Sequence, residues 1–218
     1  MSMSFIASDK FDAGEDTGGG VSRLPDFRYE EIKAVAADVI EKYAVSSIPI
    51  DVFVLAKKLR IRLVRFSDFT EDETASLGQW GITGETDGFY LLAEKNGEFV
   101  PYIYYNDKKD PRRIRFTILH EIGHHLLSHV QQSDLAEAEA NFFAKYLIAP
   151  PVLVHRIKPQ DYLDIACAFD VSDTCAWNAF DYYEKWRWHY FKVGWRYEEY
   201  EIKILNACAL CSEGVKRE

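Results

Sequence analysis

Long apolar runs are missing from this chain. No stretch of about 18 consecutive apolar residues occurs in its 218 positions, so a helical membrane span is not expected. The start, Met1 to Lys10, lacks a basic segment followed by a hydrophobic one, so no secretory signal peptide is expected either. Cysteine is scarce: Cys167, Cys175, Cys208 and Cys211 are too few and too scattered for the disulfide framework of a secreted domain, and reduced thiols in the cytoplasm are the expectation. Positive charge is in deficit, with 26 Lys and Arg against 35 Asp and Glu and a net charge of −9. Duplex binding depends on cationic contacts to phosphates, so direct nucleic-acid binding is not expected, and a basic protein partner suits the balance better.

A hydrophobic content of 48% with 15% aromatics is enough for one substantial core plus an appendage. Residues 1–25, with Asp-Ala-Gly-Glu-Asp-Thr-Gly-Gly-Gly, read as a flexible leader. Residues 26–152 read as the main domain and 153–218 as a helical, aromatic-rich C-terminal extension. Ile32, Val35, Ala36, Val39 and Ile40 have helical spacing, and a second helix runs from Ile50 to Leu59. Ile61–Phe66 alternates as a strand. Gly88–Ala93 and Phe99–Tyr105 flank Asn96-Gly97, a strong hairpin signal, and Pro101 favours an edge position or a bulge for the second arm. An edge strand beside the chemistry-bearing helix would offer backbone groups to an extended peptide. The fold class is therefore α+β, a small antiparallel or mixed sheet packed on a helical core.

The chemistry is concentrated in His120-Glu121-Ile122-Gly123-His124. Two imidazoles four residues apart on a helix share a face and can grip one metal ion. A zinc ion so held lowers the pKa of its water towards 7, and the carboxylate of Glu121 can take that water's proton. Asp110-Pro111 reads as an N-cap followed by proline at the first helical position, and the helix continues to about Val130. Ile114, Ile118, Leu119, Ile122, Leu126 and Leu127 cover much of its circumference, as in a helix buried on several sides. The alternative is a pair of core histidines satisfied by backbone carbonyls.

A catalytic zinc ordinarily keeps three protein ligands and one open position. The metzincin pattern fails, since Leu127 and Val130 stand where glycine and histidine belong and His129 is out of step. A second helix, Ser133 to Ile148, follows a short polar turn and ends at Pro150-Pro151; so short a connection implies antiparallel packing. On it Glu137 and Asn141 are spaced i, i+4, whereas Glu139 points roughly 200° away from Glu137. Glu137 is the expected third ligand. Asn141 is expected to hydrogen-bond a ligand histidine or Glu137 itself, and Glu139 reads as an exposed helix residue.

The run Arg115-Phe116-Thr117-Ile118-Leu119-His120-Glu121-Ile122-Gly123-His124-His125-Leu126-Leu127, with Glu137-Ala138-Glu139-Ala140-Asn141-Phe142-Phe143-Ala144 and Leu147-Ile148-Ala149-Pro150, resembles the ImmA/IrrE family of metallopeptidases. The likeness covers about residues 30–185, with Leu-Ile-Ala-Pro in place of the family's usual Leu-Leu-Met-Pro. It implies a minimal gluzincin-like, cytoplasmic endopeptidase that cleaves a DNA-binding repressor of the helix-turn-helix type and so derepresses a phage, mobile element or stress regulon. Positions matching His120, His124 and Glu137 hold the metal in that family, and Glu121 matches its catalytic base. Zinc is the expected ion; manganese is the alternative, since imidazole and carboxylate accept both. Two other readings stay open: a metal-stabilised protein that binds its partner without cutting it, and a toxin–antitoxin component that degrades its antitoxin. Tyrosine and histidine residues outside the motif, His125 and His155 among them, are candidates for stabilising the oxyanion.

Tyr162–Phe169 and a following helix to about Arg187 resemble a helix-turn-helix, but the second helix carries Asp173, Asp181 and Glu184, which favours protein docking over DNA reading. Trp186, Trp188, Tyr190, Phe191, Trp195, Tyr197 and Tyr200 form an aromatic-dense tail without clear periodicity, either packing onto the rest of the chain or offering a partner surface. Cys208-Ala209-Leu210-Cys211 has the spacing of half a structural zinc site.

Overall fold

The computed structural model describes residues 4–7, 24–43, 45, 47–78 and 82–209. Most of the expected leader, and Cys211 of the C-terminal cysteine pair, lie outside them. The elements in chain order are β1 (Ser4–Ala7), α1 (Asp26–Lys42), α2 (Val52–Lys58), β2 (Arg62–Arg65), α3 (Glu71–Gly78), β3 (Gly88–Lys95), β4 (Glu98–Tyr105), α4 (Pro111–Leu126), α5 (Asp134–Ile148), α6 (Pro151–Ile157), α7 (Tyr162–Phe169), α8 (Asp173–Val193) and α9 (Glu199–Ala209). They fall into two compact units, one of Met1–Leu24 with Val52–Asn141 and one of Pro25–Asp51 with Phe142–Glu218. The class is α+β, as expected.

In the first unit the sheet order is β1-β3-β4-β2, with β1-β3 and β3-β4 antiparallel and β4-β2 parallel. The β3-β4 turn takes φ of 56° at Asn96 and 81° at Gly97, the left-handed pair that suits a tight hairpin. Pro101 does not put β4 at an edge; the strand lies inside the sheet and β1 and β2 are the outer strands. The reason proline is tolerated is local. β2 pairs only with Tyr102 to Tyr105, so among the described residues β4 has no neighbour on that side at Pro101, and a missing N–H breaks no ladder there.

Alternate residues of β3 and β4 point to one face and build its aromatic cover. Phe89 and Tyr104 are cross-strand partners whose rings stack at 4.6 Å, with Tyr102, Phe66, Leu77, Ile82 and Leu91 packed about them. Helix α4 packs against β3 and β4, and Gly88 is what permits the approach. A Cβ there would stand 2.7 Å from the Thr117 methyl of α4 and 2.7 Å from the carbonyl oxygen of Tyr104, closer than real Cβ contacts. A bidentate pair between the half-exposed Arg113 and the buried Asp87, Arg113 Nε to Asp87 Oδ1 at 2.8 Å and Arg113 Nη2 to Asp87 Oδ2 at 2.6 Å, ties the first turns of α4 to the start of β3. Asn106 bridges the same corner by donating to the carbonyls of Gly84 and Thr86.

The second unit is helical. Ser172 caps α8 by accepting from the Cys175 N–H at 3.3 Å, and Asp170 closes α7 in the left-handed region, so the two-helix shape expected for 162–187 is present. It runs further than expected. Trp186, Trp188, Tyr190 and Phe191 are all helical within α8, and Tyr200 belongs to α9. The buried positions Tyr183, Trp186 and Tyr190 do have helical spacing, but the exposed Trp188 and Phe191 are aromatic too and hide it. Trp186 and Tyr190 turn inward onto α9, where both donate to the carboxylate of Glu201.

Candidate metal centre

Helix α4 begins where the sequence places it. Asp110 accepts from the Arg112 N–H at 2.8 Å and Pro111 occupies the first turn. The helix ends at Leu126, short of the expected Val130, in a turn made by Ser128 at φ 58°. There the Ser128 N–H donates to His125 O at 3.3 Å and the His129 N–H to His124 O at 3.0 Å. That is the paired bonding of a left-handed helix stop, here without the usual glycine. Ser133 then starts α5, its hydroxyl accepting from the Ala136 N–H at 3.1 Å.

This tight reversal sets the opening turns of α5 beside the last turns of α4. His120 Nε2 and His124 Nε2 converge to 3.0 Å. Glu137 faces both, Oε2 3.2 Å from His120 Nε2 and Oε1 3.3 Å from His124 Nε2. One ligand atom from each of the three lies within 4.8 Å of the others, and it is the one such group of His, Cys, Asp or Glu found among the described residues. Burial works against ionising Glu137, but the two facing imidazoles outweigh it and hold its carboxyl down at about 2. Asn141 Oδ1 stands 3.0 Å from His120 Nδ1, so of its two expected partners it takes the histidine. Glu121 is fully buried on α4.

The donor set suits a divalent ion. Two imidazole nitrogens and a carboxylate are the ligands of a gluzincin-like site, and Glu137 Oε1, although close to His124 Nε2, is buried without a hydrogen bond. A buried carboxylate oxygen in that condition is costly unless a cation or further donor satisfies it. Residues 63–173, just over half of the chain, match the family model Peptidase_M78, described as an IrrE N-terminal-like domain. The chain belongs to this metallopeptidase family. The M78 match contains His120, Glu121, His124, Glu137 and Asn141, and agrees with the ImmA/IrrE resemblance of the motifs. No curated protein matches the chain.

Two residues that the sequence leaves apart from the His120, His124 and Glu137 group are drawn up to it. Glu139 is buried at 5% exposure rather than exposed, and its Oε2 lies 2.9 Å from His129 Nε2. His129 in turn presents Nδ1 to His124 Nδ1 at 2.9 Å. The signal was available: Glu139 sits among Ala136, Ala140 and Phe143, all buried and at helical spacing, and a carboxylate inside an apolar stripe calls for a partner. Of the oxyanion candidates, His125 and His155 each lie against a tyrosine hydroxyl. His125 Nδ1 lies 2.9 Å from the Tyr90 hydroxyl, and burial lowers its pKa while pushing that of Tyr90 up to about 12. His155, in the second unit, lies 3.1 Å from the Tyr183 hydroxyl and stacks on Trp195. Cys208 donates weakly to Val45 O at 3.7 Å. No described helix is long and apolar enough to cross a membrane.

Proposed function

We propose that this chain is a zinc-dependent endopeptidase of the cytoplasm that hydrolyses a peptide bond in a DNA-binding transcriptional repressor. The observation that carries the reading is the convergence of His120, His124 and Glu137 on one point, with Glu121 buried on the same helix. In the proposal those three side chains hold the ion and leave a corner open to water and substrate. When bound, a zinc ion there supplies Lewis acidity, acidifying a water and polarising the scissile carbonyl. Glu121 takes the proton of the attacking water and returns it to the departing amine. Asn141 accepts the Nδ1 proton of His120, which keeps the lone pair of that ring on Nε2.

The acidic chain, at −9, favours encounter with a basic substrate, as DNA-binding repressors are. The test is to incubate the repressor encoded beside this chain's gene with wild type and with Glu121→Gln, and to follow new peptide fragments by mass spectrometry. The proposal expects cleavage by wild type and a loss of about 10²–10⁴-fold in the variant. Equal cleavage by both excludes Glu121 as the base, and a stable complex with no fragments favours the non-cleaving binder.

A further inference from the structure

We propose that His129 and Glu139 form a one-directional hydrogen-bond relay that fixes His124 as an Nε2 ligand, making both positioning residues of the metal centre; this rests on the metal-binding reading above. The Nε2 atom of His124 faces His120 and Glu137, so a ring that binds an ion there keeps its hydrogen on Nδ1. That nitrogen lies 2.9 Å from His129 Nδ1, which must then be an acceptor, placing the hydrogen of His129 on Nε2. Nε2 lies 2.9 Å from Glu139 Oε2, an acceptor by nature. Each donor thus meets an acceptor, in one direction only. The opposite polarity, with His129 donating through Nδ1, would place a hydrogen on His124 Nε2 and close it to a cation.

The two ligand histidines are consequently held by different means. The line from His120 stops at the neutral amide of Asn141, whereas that from His124 continues through a second imidazole to a carboxylate. The side chains of His129 and Glu139 are 9% and 7% exposed, so water competes little for either bond. Local backbone produces the alignment. The left-handed Ser128 folds His129 back over the end of α4, and the rings of His124 and His129 meet edge to face at 5.0 Å. Helix α5 supplies two carboxylates from different faces, Glu137 to the imidazole pair and Glu139 to the relay.

A purely structural ion pair between His129 and Glu139 would affect folding but not the metal, so the test reads the metal. The full chain is stripped, then titrated with zinc against a chromophoric chelator, as wild type, His129→Phe, Glu139→Gln and His120→Ala. His129→Phe removes the acceptor and is expected to weaken zinc binding about 10–100-fold. Glu139→Gln keeps shape and an acceptor oxygen but loses the charge, and a several-fold weakening is expected, so it decides the matter should His129→Phe fail to fold. In the zinc-loaded wild type, long-range nitrogen–proton NMR should place the His124 hydrogen on Nδ1, hydrogen-bonded, with that bond absent in His129→Phe. Zinc affinity unchanged in both relay variants while His120→Ala abolishes it overturns the relay alone. Affinity unchanged in His120→Ala as well overturns the metal centre itself.

Discussion

Glu201 of α9 and Glu137 of α5 are carboxylates held against other side chains in the two units, and they are satisfied in opposite ways. Glu201, 1% exposed, accepts from Trp186 Nε1 at 2.6 Å, from the Tyr190 hydroxyl and from the Glu198 N–H at 2.9 Å. Indole and backbone N–H groups can only donate, so this carboxylate is complete within the protein. Burial first, and then the bond to Glu201, push the Tyr190 phenol far above its ordinary range, which keeps that donor protonated as well. Glu137 instead faces two imidazole nitrogens able to present lone pairs, and its Oε1 makes no hydrogen bond. Fixed donors mark a structural carboxylate. Ambivalent nitrogens and an unsatisfied oxygen mark one shaped for a cation.

The comparison is broken most severely by exchanging each carboxylate for its amide. Zinc sites of four ligands bind with about 10–16 kcal/mol, so one ligand is worth roughly 2.5–4 kcal/mol. Glu137→Gln should therefore weaken zinc binding about 10²–10³-fold in a competition titration. Glu201→Gln should do the reverse, leaving zinc affinity intact and lowering urea stability by about 3 kcal/mol, because an amide cannot accept from all three donors. Equal effects of the two substitutions on zinc would erase the distinction.

Smaller changes sharpen it. Asn141→Ala should lower zinc affinity about 10-fold by releasing the His120 ring, measured in the same titration. Gly88→Ala should cost about 2 kcal/mol of stability in urea, because a methyl there collides with Thr117 and the Tyr104 carbonyl. The smallest effect belongs to His155, whose pKa is lowered by burial first and then by Arg187 and Lys158. The unfolded chain, at the ordinary value of 6.5, takes up the proton before the folded one does. Its contribution to stability is thus complete above that value and is lost as pH falls below it. His155→Phe should flatten this part of the pH–stability curve in urea titrations between pH 7 and 5.

The two helices of the candidate centre are legible because their signals are local. Asp110-Pro111, the His-Glu-x-x-His spacing and Ser133 each act within a turn of themselves, and the i, i+4 pairing of Glu137 with Asn141 follows from helix geometry alone. What was not legible depends on partners distant in sequence or hidden by composition. Pro101 reads as an edge signal because the register of β2, which stops at Tyr102, is invisible in the sequence of β4. The length of α8 was obscured by aromatics on both its buried and exposed faces. Glu139 reads as exposed for a related reason: its wheel position excludes it from Glu137's face, but only the turn at Ser128 brings His129 round to meet it.

Anomalous diffraction at the zinc edge from crystals soaked in zinc tests the central claim most directly. The account predicts a single strong peak about 2.0–2.2 Å from His120 Nε2, His124 Nε2 and an oxygen of Glu137. A peak at other side chains, or none at this triad under saturating zinc, would contradict it.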